Sequence, residues 1–87
     1  MAADPGRLDH LMQLRGSVLN EMEEADGEYC ALRMRVERIE SDIRIGRPEP
    51  SEYADLKGHA LPQAEGRVLD LYRQLLKLED KINGVRG

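Results

Sequence analysis

The side chains in this sequence that could do chemistry are few and scattered. His10 and His59 stand alone, and Cys30 is the single cysteine. A structural zinc site gathers four His, Cys or carboxylate ligands at short, regular spacings. Neither histidine has a second His or Cys at such a spacing, so both read as surface residues, and no metal or cofactor is expected. A reactive thiol needs a neighbouring base or positive field to lower its pKa. None is placed near Cys30, which reads as a partly exposed spectator. The 17 Asp and Glu side chains could pair as acid and base only in a dry concave pocket that shifts their pKa values. The elements described next form a rod without one, so no enzyme is expected.

Composition restricts those elements. Among 87 residues there is no Phe or Trp and only three Tyr, while 34% are charged. A core must therefore come from Leu, Ile, Val, Met and Ala, the residues of helix seams rather than of sheets. A chain this short buries a modest share of its surface and is marginal alone, which points to self-association or a partner. The net charge of -4 argues against binding to nucleic acid, where basic residues must dominate locally. No apolar run approaches the roughly 20 residues that span a bilayer, so no membrane insertion is expected. A lone cysteine closes no internal disulfide, and Asp4, Arg7 and Asp9 interrupt any signal-type opening, so a reducing cytoplasm is the expected location.

Stepping three and then four residues from Leu8 gives Leu8, Leu11, Arg15, Val18, Met22, Ala25, Tyr29, Leu32, Val36, Ile39, Ile43 and Gly46. That is a heptad seam with one charge in it. Asp4 as N-cap and Pro5 at the first helical position mark a start. Gly46, Pro48 and Pro50 mark an end. A second seam runs through Leu61, Ala64, Val68, Leu71, Leu75, Leu78, Ile82 and Val85. Ser51 offers an N-cap for its helix, and Gly58 and Pro62 disturb it. The expectation is a single all-α domain over residues 1–87: helix 5–46, turn 46–50, and helix 51–84 kinked near 58–62. The two helices form an antiparallel coiled-coil hairpin about 60 Å long, completed by self-association or by a helical partner.

Both seams are doubled near the open end of the hairpin. Met12 and Leu19 flank Leu11 and Val18, while Leu69, Tyr72 and Leu76 flank Val68, Leu71 and Leu75. One facing helix cannot cover both stripes, so the expected partner-binding set is Leu11, Met12, Val18, Leu19, Leu69, Leu71, Tyr72, Leu75, Leu76 and Leu78. Charge is sorted along the first helix. Glu21, Glu23, Glu24, Asp26 and Glu28 precede Arg33, Arg35, Arg38, Arg44 and Arg47. This is either a solvated face or a device that registers two antiparallel copies. Arg15 either snorkels from a frayed end or pairs with Glu79 or Asp80.

The stretch Ile43-Arg44-Ile45-Gly46-Arg47-Pro48-Glu49-Pro50-Ser51-Glu52-Tyr53, followed by Leu56 and Ala60-Leu61, resembles the small co-chaperones of type III secretion needle subunits. Those proteins are similar helical hairpins with a Gly-containing bend and a Pro-x-x-Tyr run, matched here by Pro50 to Tyr53. The resemblance covers roughly Leu32 to Leu76. It implies a cytoplasmic protein that joins a second, helical-repeat chaperone to hold an export subunit monomeric. Pro62 and the continuation through Asp80, Ile82 and Val85 depart from that pattern. The needle subunits are themselves Pro-turned hairpins, a neighbouring reading that stays open.

Overall fold

The computed structural model describes residues 5–86, so the expected cap at Asp4 lies outside the described residues. The architecture is all-α, an antiparallel helical hairpin. Helix α1 spans Pro5–Arg44, a short α2 spans Glu52–Asp55, a π-helical turn spans Leu56–Ala60, and α3 spans Leu61–Arg86. The molecule is a rod of 69 × 16 × 15 Å. Its radius of gyration of 19.3 Å compares with about 12 Å for a compact domain of this length.

The heptad pattern decides what the rod buries. Every first-seam position from Leu8 to Ile43 is buried or half-buried, as is every second-seam position from Leu61 to Val85. Val18, Ala25, Leu71 and Leu75 form the central cluster, with Met22, Val68 and Leu78 packed against it. Leu11 and Ile82 continue the core toward the open end, and Val36 and Ile39 toward the turn. Among the described residues no large side chain is wholly enclosed, because two helices touch along one line and leave the rest of each cylinder in water.

The turn follows from Gly46, whose φ of 96° lies in the left-handed region. There its N–H donates to Ile43 O at 3.0 Å and the Arg47 N–H to Asp42 O at 3.0 Å. This is the Schellman pattern that satisfies terminal carbonyls. An Arg47–Asp42 ion pair at 3.4 Å stands where an apolar contact usually closes the motif. The helix thus stops at Arg44 rather than at 46, because Ile45 serves as cap and Gly46 already reverses the chain. Ser51 does not cap as expected. Its own backbone is helical and its side chain makes no cap bond, while the Tyr53 N–H finds Pro50 O at 3.1 Å.

The irregularity near Gly58 and Pro62 takes the form of the π-helical turn. A proline ring collides with the carbonyl four residues earlier and donates no hydrogen bond. A wider turn relieves that collision, and here the Leu61 N–H reaches back five residues to Leu56 O. The helix runs on through Gly84 to Arg86 instead of ending at 84. Gly27 in α1 and Gly66 in α3 are among the mid-helix glycines with nothing within 4 Å of an added Cβ. Gly27→Ala and Gly66→Ala are each expected to stabilise the hairpin by about 0.5–1 kcal/mol through the unfolded-state entropy of glycine. Urea unfolding followed at 222 nm checks this.

Candidate protein-docking flank

Heptad register sorts the side chains outside the seam onto two flanks. With Arg15 and Met22 at position a of α1 and Leu11 and Val18 at d, Met12 and Leu19 fall at e. With Val68 and Leu75 at a of α3 and Leu71 and Leu78 at d, Tyr72 falls at e, and Leu69 and Leu76 at the adjacent b. Antiparallel pairing brings e beside e on one flank and g beside g on the other. Arg15 and Glu79, an e residue, are 3.6 Å apart, and an open hollow beside them is lined by Met12, Ile82, Asn83 and Arg86. On the opposite flank, Glu28 and Arg67, both g residues, bridge at 3.3 Å.

Met12, Leu19, Leu69, Tyr72 and Leu76 therefore share one flank, where each is between 37% and 50% exposed. The Arg15–Glu79 and Glu28–Arg67 bridges set Leu19 level with Leu75 and Leu76, so the two stripes form one patch. The other five residues of the expected docking set belong elsewhere. Leu11, Val18, Leu71 and Leu75 are buried in the hairpin's own core, and Leu78 packs half-buried against it. They are a and d positions, which the facing helix of the same hairpin already covers.

Sequence reasoning missed three other exposed apolar residues. Leu14 lies on the opposite flank, in a groove with Val18, Gln74, Lys77, Leu78 and Lys81. Met34 and Ile45, about 70% exposed at 69% and 72%, stand singly toward the turn and form no stripe. Of the arginine block, Arg33 pairs with Glu37 at 3.1 Å and Arg35 with Glu52 at 2.6 Å. Much of that block is therefore engaged within the chain. Glu21, Glu23, Glu24 and Asp26 make no ion pair among the described residues.

A polar clamp fastens the turn end. Glu40 accepts from Lys57 Nζ at 2.7 Å and from Tyr53 Oη at 2.9 Å, and Lys57 also donates to Tyr53 Oη at 3.1 Å. The ammonium lies 5.5 Å from the centre of the Tyr53 ring. Lys57 and then Tyr53 hold the Glu40 carboxyl below its ordinary value, while Glu40 raises the Lys57 ammonium. A carboxylate with a depressed pKa adds stability above the unfolded-state value near 4.3, and that stability is lost as pH falls through the folded-state value. Glu40→Gln is therefore expected to flatten the decline in urea midpoint between pH 5 and lower pH. A decline as steep as wild type would remove the clamp from the acid response.

His59 Nδ1 lies 3.5 Å from Asp55 Oδ1 on an exposed face, and Cys30 is exposed. Among the described residues no three metal-ligating side chains gather, and no helix is long and apolar enough to cross a membrane. Comparison of the chain with protein-family models, curated proteins and solved structures finds no match.

Proposed function

We propose that the hairpin is a non-catalytic docking module whose open-end flank receives a helical protein surface. The exposed stripe of Met12, Leu19, Leu69, Tyr72 and Leu76 carries this reading. A compact chain of 9.9 kDa exposes about 5,200 Å2, whereas this one exposes 6623 Å2. The excess of roughly 1,400 Å2 exceeds the approximately 800 Å2 that each partner contributes to a standard interface. Helix-in-groove docking reads anchors at three- and four-residue intervals, and Leu69, Tyr72 and Leu76 have that spacing.

The resemblance at the turn supplies one particular form of this reading. It is a cytoplasmic co-chaperone that, beside a second chaperone, covers the apolar face of an export subunit. The support is the hairpin shape together with the run from Pro50 to Tyr53. Self-assembly through the same flank is the other form.

The two solvent-facing methionines provide the test. Met12 lies on the flank and Met34 away from it, so peroxide treatment of producing cells, followed by mass spectrometry, compares their oxidation. Relative to the dilute purified chain, Met12 is expected to be protected at least several-fold in cells and Met34 unchanged. Equal rates in both settings would mean a bare flank and would overturn the reading.

A further inference from the structure

Residues 51–60, which carry α2 and the π turn, are held to α1 differently from the rest of the hairpin. Counted back by threes and fours, the α3 seam would continue from Leu61 through Lys57 and Ala54, yet both of these are exposed. The half-buried positions are Leu56 and Tyr53, each one residue earlier. Leu56 and Ala64 are thus eight positions apart where a heptad repeat sets seven. The surplus residue is taken up in the π turn, where the Leu61 N–H donates to Leu56 O. Pro62 donates no bond at all, so the backbone ladder is interrupted where the seam changes phase.

Neither α2 nor the π turn contains a buried residue. The apolar side chains of Tyr53, Leu56 and Ala60 are only half-buried. The polar fastenings to α1 are the Glu40 clamp and the Arg35–Glu52 pair at 2.6 Å. The charged partners in them are between 34% and 58% exposed, and exposed ion pairs add little. Isolated helices shorter than about 12–15 residues are marginal, so this segment does not stay helical away from α1. The part of α1 beneath it is nonetheless well covered. Val36 is 3% and Ile39 8% exposed, and the Glu40–Lys57 bridge sets the π turn, which packs on α1, at their level. Ile39 shares a groove with Pro50 and Glu52, and Ile43 another with Tyr53.

The geometry points to a latch: residues 51–60 leave α1 as one unit, pivoting at the π turn and the Gly46 turn, and uncover Val36 and Ile39 while α1 and α3 stay paired. Local opening of this kind lies below global unfolding in free energy. The coincident breaks in ladder and seam keep it from spreading into α3, and α1 retains its own helical hydrogen bonds throughout. Met34, already exposed, lines the same groove as Ile39. The open form therefore carries apolar surface on the turn half that the closed rod hides.

Native-state hydrogen exchange of the full chain in low urea, read residue by residue by NMR, tests the latch. The hydrogen-bonded amides of residues 53–60 are expected to share one opening, at least about tenfold more populated than that of residues 68–82 and with a shallower urea dependence. Deletion of Gly58 combined with Pro62→Ala restores both the seven-residue spacing and the missing donor, and is expected to merge the two groups. Pro62→Ala alone leaves the surplus residue and is expected to leave them separate. A second readout is thiol labelling in the Cys30→Ser background. Ile39 and Leu75 are almost equally buried, at 8% and 9%, yet Ile39→Cys is expected to be labelled at least about tenfold faster than Leu75→Cys. One common opening for residues 53–60 and 68–82 in the wild type would overturn the latch. So would protection that falls residue by residue toward the turn, or equal labelling of the two thiols. Merging by Pro62→Ala alone would overturn the role given to the surplus residue.

Discussion

Leu71→Asp is expected to abolish the helical signal of the chain, while Leu69→Asp, two residues away, is expected to leave it nearly unchanged. Leu71 is 5% exposed and belongs to the cluster with Val18, Ala25 and Leu75. Removing a buried Leu side chain to Ala costs about 2–5 kcal/mol, and placing an unpaired carboxylate in the vacancy adds its desolvation. A domain of this size commonly has about 4–13 kcal/mol in total. A rod in which no large described side chain is fully enclosed belongs toward the low end, so the loss consumes most of the stability. Leu69 faces water on the flank and loses little when it becomes polar. Circular dichroism at 222 nm with urea titration checks both. A cooperative, wild-type-like transition for Leu71→Asp would show that the hairpin core is not what holds the fold.

That contrast matters for reading any binding experiment. Substitution of Leu71 and Leu75 removes association whatever the partner, because it removes the hairpin. Only Met12, Leu19, Leu69, Tyr72 and Leu76 can be altered to report on docking without first unfolding the chain.

The seams were legible because burial along a two-helix contact repeats every 3.5 residues, and Leu8 to Ile43 and Leu61 to Val85 keep that repeat almost without error. The turn was legible because Gly46 tolerates the left-handed backbone and Pro48 and Pro50 cannot extend a helix. Counting outward from that turn put Glu79 and Asp80 within reach of Arg15, and register decides for Glu79. What escaped was whatever depends on exact register or on local competition. The Glu40, Tyr53 and Lys57 clamp joins residues 13 to 17 positions apart, and nothing in their types singles them out before the turn geometry is known. Ser51 has the right side chain for an N-cap, but the Pro50 carbonyl already serves the nearby N–H. The kink was expected at Gly58 to Pro62, yet its resolution as a π turn depends on how the backbone accommodates one ring. The docking set mixed core and surface because a doubled stripe does not say which of its two rows faces the sister helix. Register resolves it, assigning a and d inward and e and b outward.

The second large effect is expected at those outward positions. Leu69→Glu together with Leu76→Glu should lower association of the folded chain at least a hundredfold, with no loss of helicity. Both side chains are nearly half exposed, at 48% and 46%, so the hairpin gives up little by their change. In an assembly each would lie in the drier centre of the interface, where a few anchors carry most of the affinity. Burying an unpaired carboxylate there costs several times what losing the leucine contact costs. Met34→Glu, equally apolar to polar but away from the flank, is the matched control and is expected to change neither mass nor stability. Light scattering after size exclusion separates the outcomes. If the double variant associates as the wild type does, the stripe is not the contact surface. If Met34→Glu disrupts association as strongly, the contact lies toward the turn, where Met34 and Ile45 stand exposed.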